Sequence, residues 1–108
     1  MLVVYISSPY SIGNQERNVI KSLLIADILI CSEFCPIAPL LSHYQNGFFP
    51  QNYETWLKLD FEKIRRSDVI LRLPGESKGA DREVEFAKSL NKPVYYSLKE
   101  LFTIHKED

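Results

Sequence analysis

Glu83 and Asp60 are carboxylates standing on helix faces where packing calls for aliphatic side chains. In the segment Ala80 to Leu90, apolar residues fall at Ala80, Val84 and Ala87 and at Phe86 and Leu90, a helical stripe that passes through position 83. Asp81, Glu85, Lys88 and Lys92 mark the solvated side. In the segment Tyr53 to Ile64, positions 56, 57, 60 and 64 share one face, and Asp60 is the acid among Trp56, Leu57 and Ile64. Desolvating an acid without a partner is costly, so a pair of such acids in one small core argues for a shared polar pocket. The plain alternative is that Glu83 is a first-turn acid favoured by the helix dipole and that Asp60 lies at the margin of its stripe. Spacing alone does not say whether Asp60 reaches Glu83.

The chemistry open to such a pair narrows by elimination. There is no G-x-x-x-x-G-K-[ST] phosphate loop, no G-x-G-x-x-G dinucleotide fingerprint and no G-x-S-x-G nucleophile elbow. His43 and His105 are far apart and have no ligand-like spacing to acids or cysteines, so no metal site and no cofactor is read. Carboxylate chemistry remains. Its precedent is glycosyl transfer, in which one acid attacks the anomeric carbon while another assists.

Bulk properties limit the setting. A chain of 108 residues is expected to form one domain, residues 1–108. A formal charge of -1 and a pI near 6.1 give no general attraction for polymeric nucleic acid or for an anionic membrane, so phosphate recognition would have to be local. The start Met1-Leu2-Val3-Val4 lacks a basic leader region, and the apolar stretch Leu23 to Cys31 is short and broken by Asp27. A soluble, cytoplasmic protein is expected. Cys31 and Cys35 have neither disulfide-framework nor C-x-x-C character and are expected to be small buried apolar residues.

Two kinds of element alternate along the chain. Strands are expected at residues 2–7, 34–38, 68–73 and 93–96, with helices from about Asn14 to Ser32, Tyr53 to Arg66 and Ala80 to Leu90, and a last helical turn or two over 98–104. Residues 40–52, which contain Gly47 and Pro50, read as a long loop able to serve as a lid or binding segment. This order predicts an α/β, Rossmann-like (flavodoxin-like) three-layer sandwich with a four- to five-stranded parallel sheet in the order 2-1-3-4. The connections of strands one and three leave in opposite directions and open a crevice at their C-terminal ends. The loops 7–11 and 74–79, rich in hydroxyls and turn residues, would line it.

At this point the residues meet a family. Val4-Tyr5-Ile6-Ser7-Ser8-Pro9, then Leu59-Asp60, Ser67-Asp68-Val69-Ile70, Ser77-Lys78-Gly79, Glu83, Ala87 and Lys92-Pro93-Val94 resemble the nucleoside 2-deoxyribosyltransferase superfamily, which includes the nucleoside 5'-monophosphate N-glycosidases. The resemblance runs over about residues 3–97. It implies that Glu83 is the nucleophile forming a glycosyl-enzyme ester and that Asp60 assists proton transfer to the leaving base or orients the sugar. It makes Tyr5 an active-site tyrosine and places Ser77, six residues before the nucleophile, at a phosphate-binding position. Ser7, Ser8, Pro9, Tyr10 and Gly79 fall on the substrate-binding loops. Ser42-His43 and Trp56 match an S-H and W-x-x-x-D pattern in one branch of the superfamily and add substrate-contacting candidates, although Trp56 by itself reads as core and a lone loop histidine as surface.

The implied partner is a small nucleoside or nucleotide, and the implied reaction is cleavage or transfer of its N-glycosidic bond. The ionised Glu83 would draw on the partial positive charge of its helix N-terminus, and Lys78, Arg82 and Arg17 are nearby cations, with Arg82 read as solvated. A non-catalytic nucleotide-binding or sensing module of the same fold is the rival reading. Between Val19 and Cys31 only Lys21, Ser22 and Asp27 interrupt an apolar circumference, so this helix is expected to need cover on both sides: the sheet on one and a second copy on the other, in a homodimer or higher homo-oligomer.

Overall fold

A computed structural model describes residues 1–105. The elements run β1 (Val3–Ser7), α1 (Gln15–Cys31), β2 (Cys35–Ile37), a 3₁₀ turn (Pro39–Leu41), α2 (Ser42–Phe48), α3 (Tyr53–Arg65), β3 (Val69–Arg72), α4 (Lys78–Ser89), β4 (Val94–Tyr95) and α5 (Leu98–Ile104). The four strands pair in parallel in the order β2-β1-β3-β4, with Tyr5 opposite Ile70, Ser7 opposite Arg72 and Ile70 opposite Val94. This is the expected α/β topology, with β1 and β3 adjacent and their connections departing to opposite sides. Four helices begin on side-chain caps: Asn14, Asn52, Ser77 and Ser97 each accept the amide three residues ahead.

Strand alternation sorts the core into two layers. Val4, Ile6, Val69 and Leu71 pack with Ala26 and Leu29 of α1 and Leu101 of α5. Tyr5 and Ile70 pack on the other face with Ile64 of α3 and Ala87 of α4, flanked by the stacked rings of Phe61 and Phe86. No helix among the described residues is long and apolar enough to cross a membrane.

Several expectations need correction. The segment read as a loop over 40–52 instead folds into the 3₁₀ turn and α2. Pro39 sits at the start of the turn, where its missing N–H costs nothing, and Gly47 falls in the last turn of α2, where its flexibility does little harm. Cys31 and Cys35 are exposed rather than buried, because one ends α1 on its outer side and the other lies on the edge strand β2. The sheet has four strands among the described residues, within the expected four to five. On α1, Val19, Ser22, Ala26 and Leu29 are buried, whereas Ile20, Leu24 and Ile30 remain 55%, 58% and 59% exposed.

Candidate active site

The period of two along β1 places Tyr5 and Ser7 on the face that meets α4. There they bracket Glu83, which is only 9% exposed. Tyr5 Oη donates to Glu83 Oε2 at 2.5 Å and Ser7 Oγ donates to Oε1 at 2.8 Å, so each carboxylate oxygen accepts one hydroxyl. Burial raises the Glu83 carboxyl from its ordinary 4.5 to about 7; the two hydroxyls pull it back down, the Asp60 charge pushes it further up, and Arg72 lowers it. The Tyr5 phenol is held well above its ordinary value, by burial first and then by the charges of Glu83 and Asp60, so it stays a donor.

Helix α4 begins at Lys78 rather than near Ala80, which puts Glu83 in the second turn. The dipole effect fades within the first turn, so the N-terminal charge expected to favour the anion gives way to direct hydrogen bonds from β1.

Asp60 reaches the same cavity, of about 250 Å³, that Glu83 lines. Its Oδ1 is buried without a hydrogen-bond partner among the described residues. Burial raises its carboxyl from 3.8 to about 6, against a lowering by Lys63. An orphaned buried acceptor costs roughly 1–3 kcal/mol.

The other sequence-derived candidates separate into two groups. Ser8 and Tyr10 of the β1–α1 loop, His43 of α2, Trp56 of α3, and Ser77 and Gly79 at the start of α4 all line the cavity. Trp56, read from its spacing as core, is a half-buried cavity wall. Ser77 is also the cap of α4, its Oγ accepting the Ala80 amide at 3.0 Å. Tyr5, Ser7 and Pro9 do not line the cavity: the first two stand behind Glu83, and Pro9 lies against the β3–α4 loop, where a Cβ added at Gly75 would come within 3.0 Å of its ring. Of the cations named from sequence, Lys78 borders the cavity, while Arg82 and Arg17 are exposed and do not.

Three residues that matter had escaped notice. Arg72, 8% exposed, bonds to the carbonyls of Leu73 and Gly75 and to Asp81 Oδ1 at 3.0 Å, which fixes the β3–α4 loop beside Glu83. Its signal was alternation, since a residue two after the buried Ile70 must face α4. Asn46 lines the cavity and accepts from Trp56 Nε1 at 2.7 Å and from the Gln51 amide at 2.8 Å, tying α2 to α3. Glu16, a first-turn acid of α1, contacts His43 at 3.3 Å. No group of three or more His, Cys, Asp or Glu among the described residues is placed to hold a metal ion.

No family model matches the sequence, and no curated protein sequence matches it. Solved structures do. A 2-desoxiribosyltransferase from Leishmania mexicana superposes with a TM-score of 0.65 at 17% identity, over 87% of this chain and 62% of that one. A 2-deoxyribosyltransferase from the psychrotolerant bacterium Bacillus psychrosaccharolyticus gives a TM-score of 0.60 at 22% identity, over 85% of this chain and 69% of that one. This chain therefore spans about two thirds of the length of either. The sheet order is the 2-1-3-4 that the alternation of elements predicts, and the chain has the fold of these two 2-deoxyribosyltransferases.

Proposed function

We propose that this protein breaks or exchanges the N-glycosidic bond of a nucleoside or nucleoside 5'-monophosphate, with retention, through a glycosyl ester on Glu83. The observation that carries this reading is a buried carboxylate held by two hydroxyls from β1 in a cavity that also receives an unpartnered Asp60. In the first step a Glu83 oxygen bonds to the anomeric carbon, and the carbon–nitrogen bond breaks with its electron pair leaving on the base, which takes up a proton. In the second, water or another base attacks the same carbon and the ester oxygen returns to Glu83. The two hydroxyls on Glu83 favour its anion against the burial that raises it, whereas Asp60 Oδ1 accepts from no group among the described residues. Asp60 assists proton transfer to the base or orients the sugar. Trp56, Ser77 and Gly79 contact substrate, and a cytoplasmic setting suits such a reaction.

The test is a panel of ribo- and deoxyribonucleosides and their monophosphates, incubated with and without a second base and chromatographed for free and exchanged base. In parallel, a 2-fluoro sugar analogue should leave a sugar adduct on the Glu83 peptide by mass spectrometry. Saturable nucleotide binding with no free base after prolonged incubation and no adduct would replace this reading with the non-catalytic binding module.

Self-association belongs to the same proposal. The exposed Ile20, Leu24 and Ile30 of α1 suit a second copy of the chain. Light scattering at micromolar concentration should report a dimer or larger assembly, and Leu24→Glu should shift it toward monomer. A monomeric wild-type protein would remove the idea.

A further inference from the structure

Tyr10 and His43 line the cavity, yet they also start a row of polar contacts, a hydrogen bond and then an ion-pair contact, that leads out of it. Tyr10 Oη lies 2.5 Å from His43 Nδ1, and the rings meet edge-on with centroids 5.6 Å apart. On the far side of the imidazole, His43 Nε2 lies 3.3 Å from Glu16 Oε2. The other Glu16 oxygen accepts from Tyr44 Oη at 2.8 Å, an exposed contact outside the row. Three separate elements, the β1–α1 loop, α1 and α2, are needed to assemble the row.

The row has a direction. A carboxylate can only accept, so Glu16, 3.3 Å away, favours a proton on His43 Nε2 and leaves Nδ1 to face Tyr10. When the imidazole is neutral, Tyr10 donates to Nδ1 and turns oxygen lone pairs to the cavity. With the imidazole protonated, Nδ1–H donates to Tyr10, whose own proton then points to the cavity. The Tyr10 phenol stays protonated, raised above its ordinary value by burial and then by the Glu16 charge. The His43 side chain is 25% exposed, so water reaches it.

We propose that Glu16, His43 and Tyr10 form a proton relay whose cavity end, the Tyr10 hydroxyl, protonates the departing nucleobase. This rests on the glycosyl-transfer reading of Glu83, and it divides the labour, leaving Asp60 to hold the sugar. As the carbon–nitrogen bond breaks, the base nitrogen keeps the electron pair and takes the Tyr10 proton. Tyr10 takes the Nδ1 proton of the imidazolium, and neutral His43 keeps its Nε2–H on Glu16. In the second step the attacking water or base returns a proton to Tyr10, and Tyr10 returns one to Nδ1. Tyr10 is then a catalytic residue, while His43 and Glu16 are positioning residues that act through it.

A clamp that merely pinned α2 would contain the same contacts, so the test must separate proton delivery from architecture. The measurement is kcat and KM for wild type, Tyr10→Phe, Glu16→Gln and Tyr44→Phe. One substrate is an ordinary purine nucleoside; the other is its N7-methyl counterpart, whose base leaves neutral without taking a proton. The relay predicts a kcat loss of roughly 100-fold for Tyr10→Phe and roughly tenfold for Glu16→Gln on the ordinary nucleoside, with KM within about threefold. Both losses should shrink to less than about threefold on the methylated one, and Tyr44→Phe should stay within about twofold on both. Equal losses on the two substrates, or a Tyr44→Phe loss matching that of Glu16→Gln, would overturn the relay and leave Glu83 untouched. A wild-type protein inactive on both would instead remove the Glu83 reading, and the relay with it. Nitrogen-15 NMR adds a readout that needs no turnover: neutral His43 should carry its proton on Nε2 in the wild type and lose that preference in Glu16→Gln. A proton on Nδ1 in the wild type would break the row at its first link.

Discussion

Replacing Glu83 by glutamine should lower base release by on the order of 10⁴-fold or more while leaving nucleoside binding measurable. The amide keeps the size of the carboxylate and can still pair with Tyr5 and Ser7, whose hydroxyls rotate freely enough to accept or donate. What disappears is an oxygen able to bond to the anomeric carbon and leave again. Steady-state kinetics and isothermal titration on one preparation check both halves. Activity equal to wild type would sink the covalent reading, and loss of binding without loss of residual turnover would assign Glu83 to recognition. In the wild type, kcat/KM should rise with pH through about 7 as the free enzyme's Glu83 ionises.

The same substitution should make the protein more stable at alkaline pH, and the sign follows from proton counts. An unfolded Glu83 ionises near its ordinary 4.5, whereas the folded one holds its proton to about 7. Between those values the native state binds more protons than the unfolded state, so unfolding free energy falls as pH rises. Asp60, raised from 3.8 to about 6, acts in the same direction over a lower window. Above pH 7 the buried Glu83 anion costs the native state about 3 kcal/mol relative to a neutral side chain. Urea denaturation should therefore show Glu83→Gln more stable than wild type by up to about 3 kcal/mol at pH 8, with the gap closing below pH 4.5. A variant no more stable than wild type at pH 8 would mean that the hydrogen bonds from Tyr5 and Ser7, with the Arg72 charge, offset the burial in full.

The sheet order was legible because it depends on alternation of strand and helix signals, which are local and strong. Glu83 and Asp60 were legible as polar residues on apolar faces, whereas Tyr5 was named only through the family resemblance and Ser7 was read as a loop residue, although both lie on β1 facing α4. Helix α2 was not. It spans seven residues, buries none of them, and lacks a side-chain cap; it is held by Tyr44, His43 and Asn46 reaching other elements. Helices that short draw their stability from tertiary contacts, which leave no periodic mark in the sequence. Glu16 went unremarked for a related reason, since a first-turn acid has an ordinary local explanation and its partner His43 lies 27 positions away. The exposed cysteines show the reverse error: a residue type often found inside says little when its strand is at a sheet edge.

The cavity is walled by two materials of different standing. Glu83 and the hydroxyls behind it are set into the packed interior, where any exchange disturbs the core, whereas His43 and Asn46 stand on a helix that contributes nothing to that core. Mutational drift therefore falls unevenly on the site. Changes at α2 meet a weaker filter of folding stability, so a lineage built on this chain can rewrite the wall formed by Ser42 to Phe48 while Glu83 stays frozen in the core.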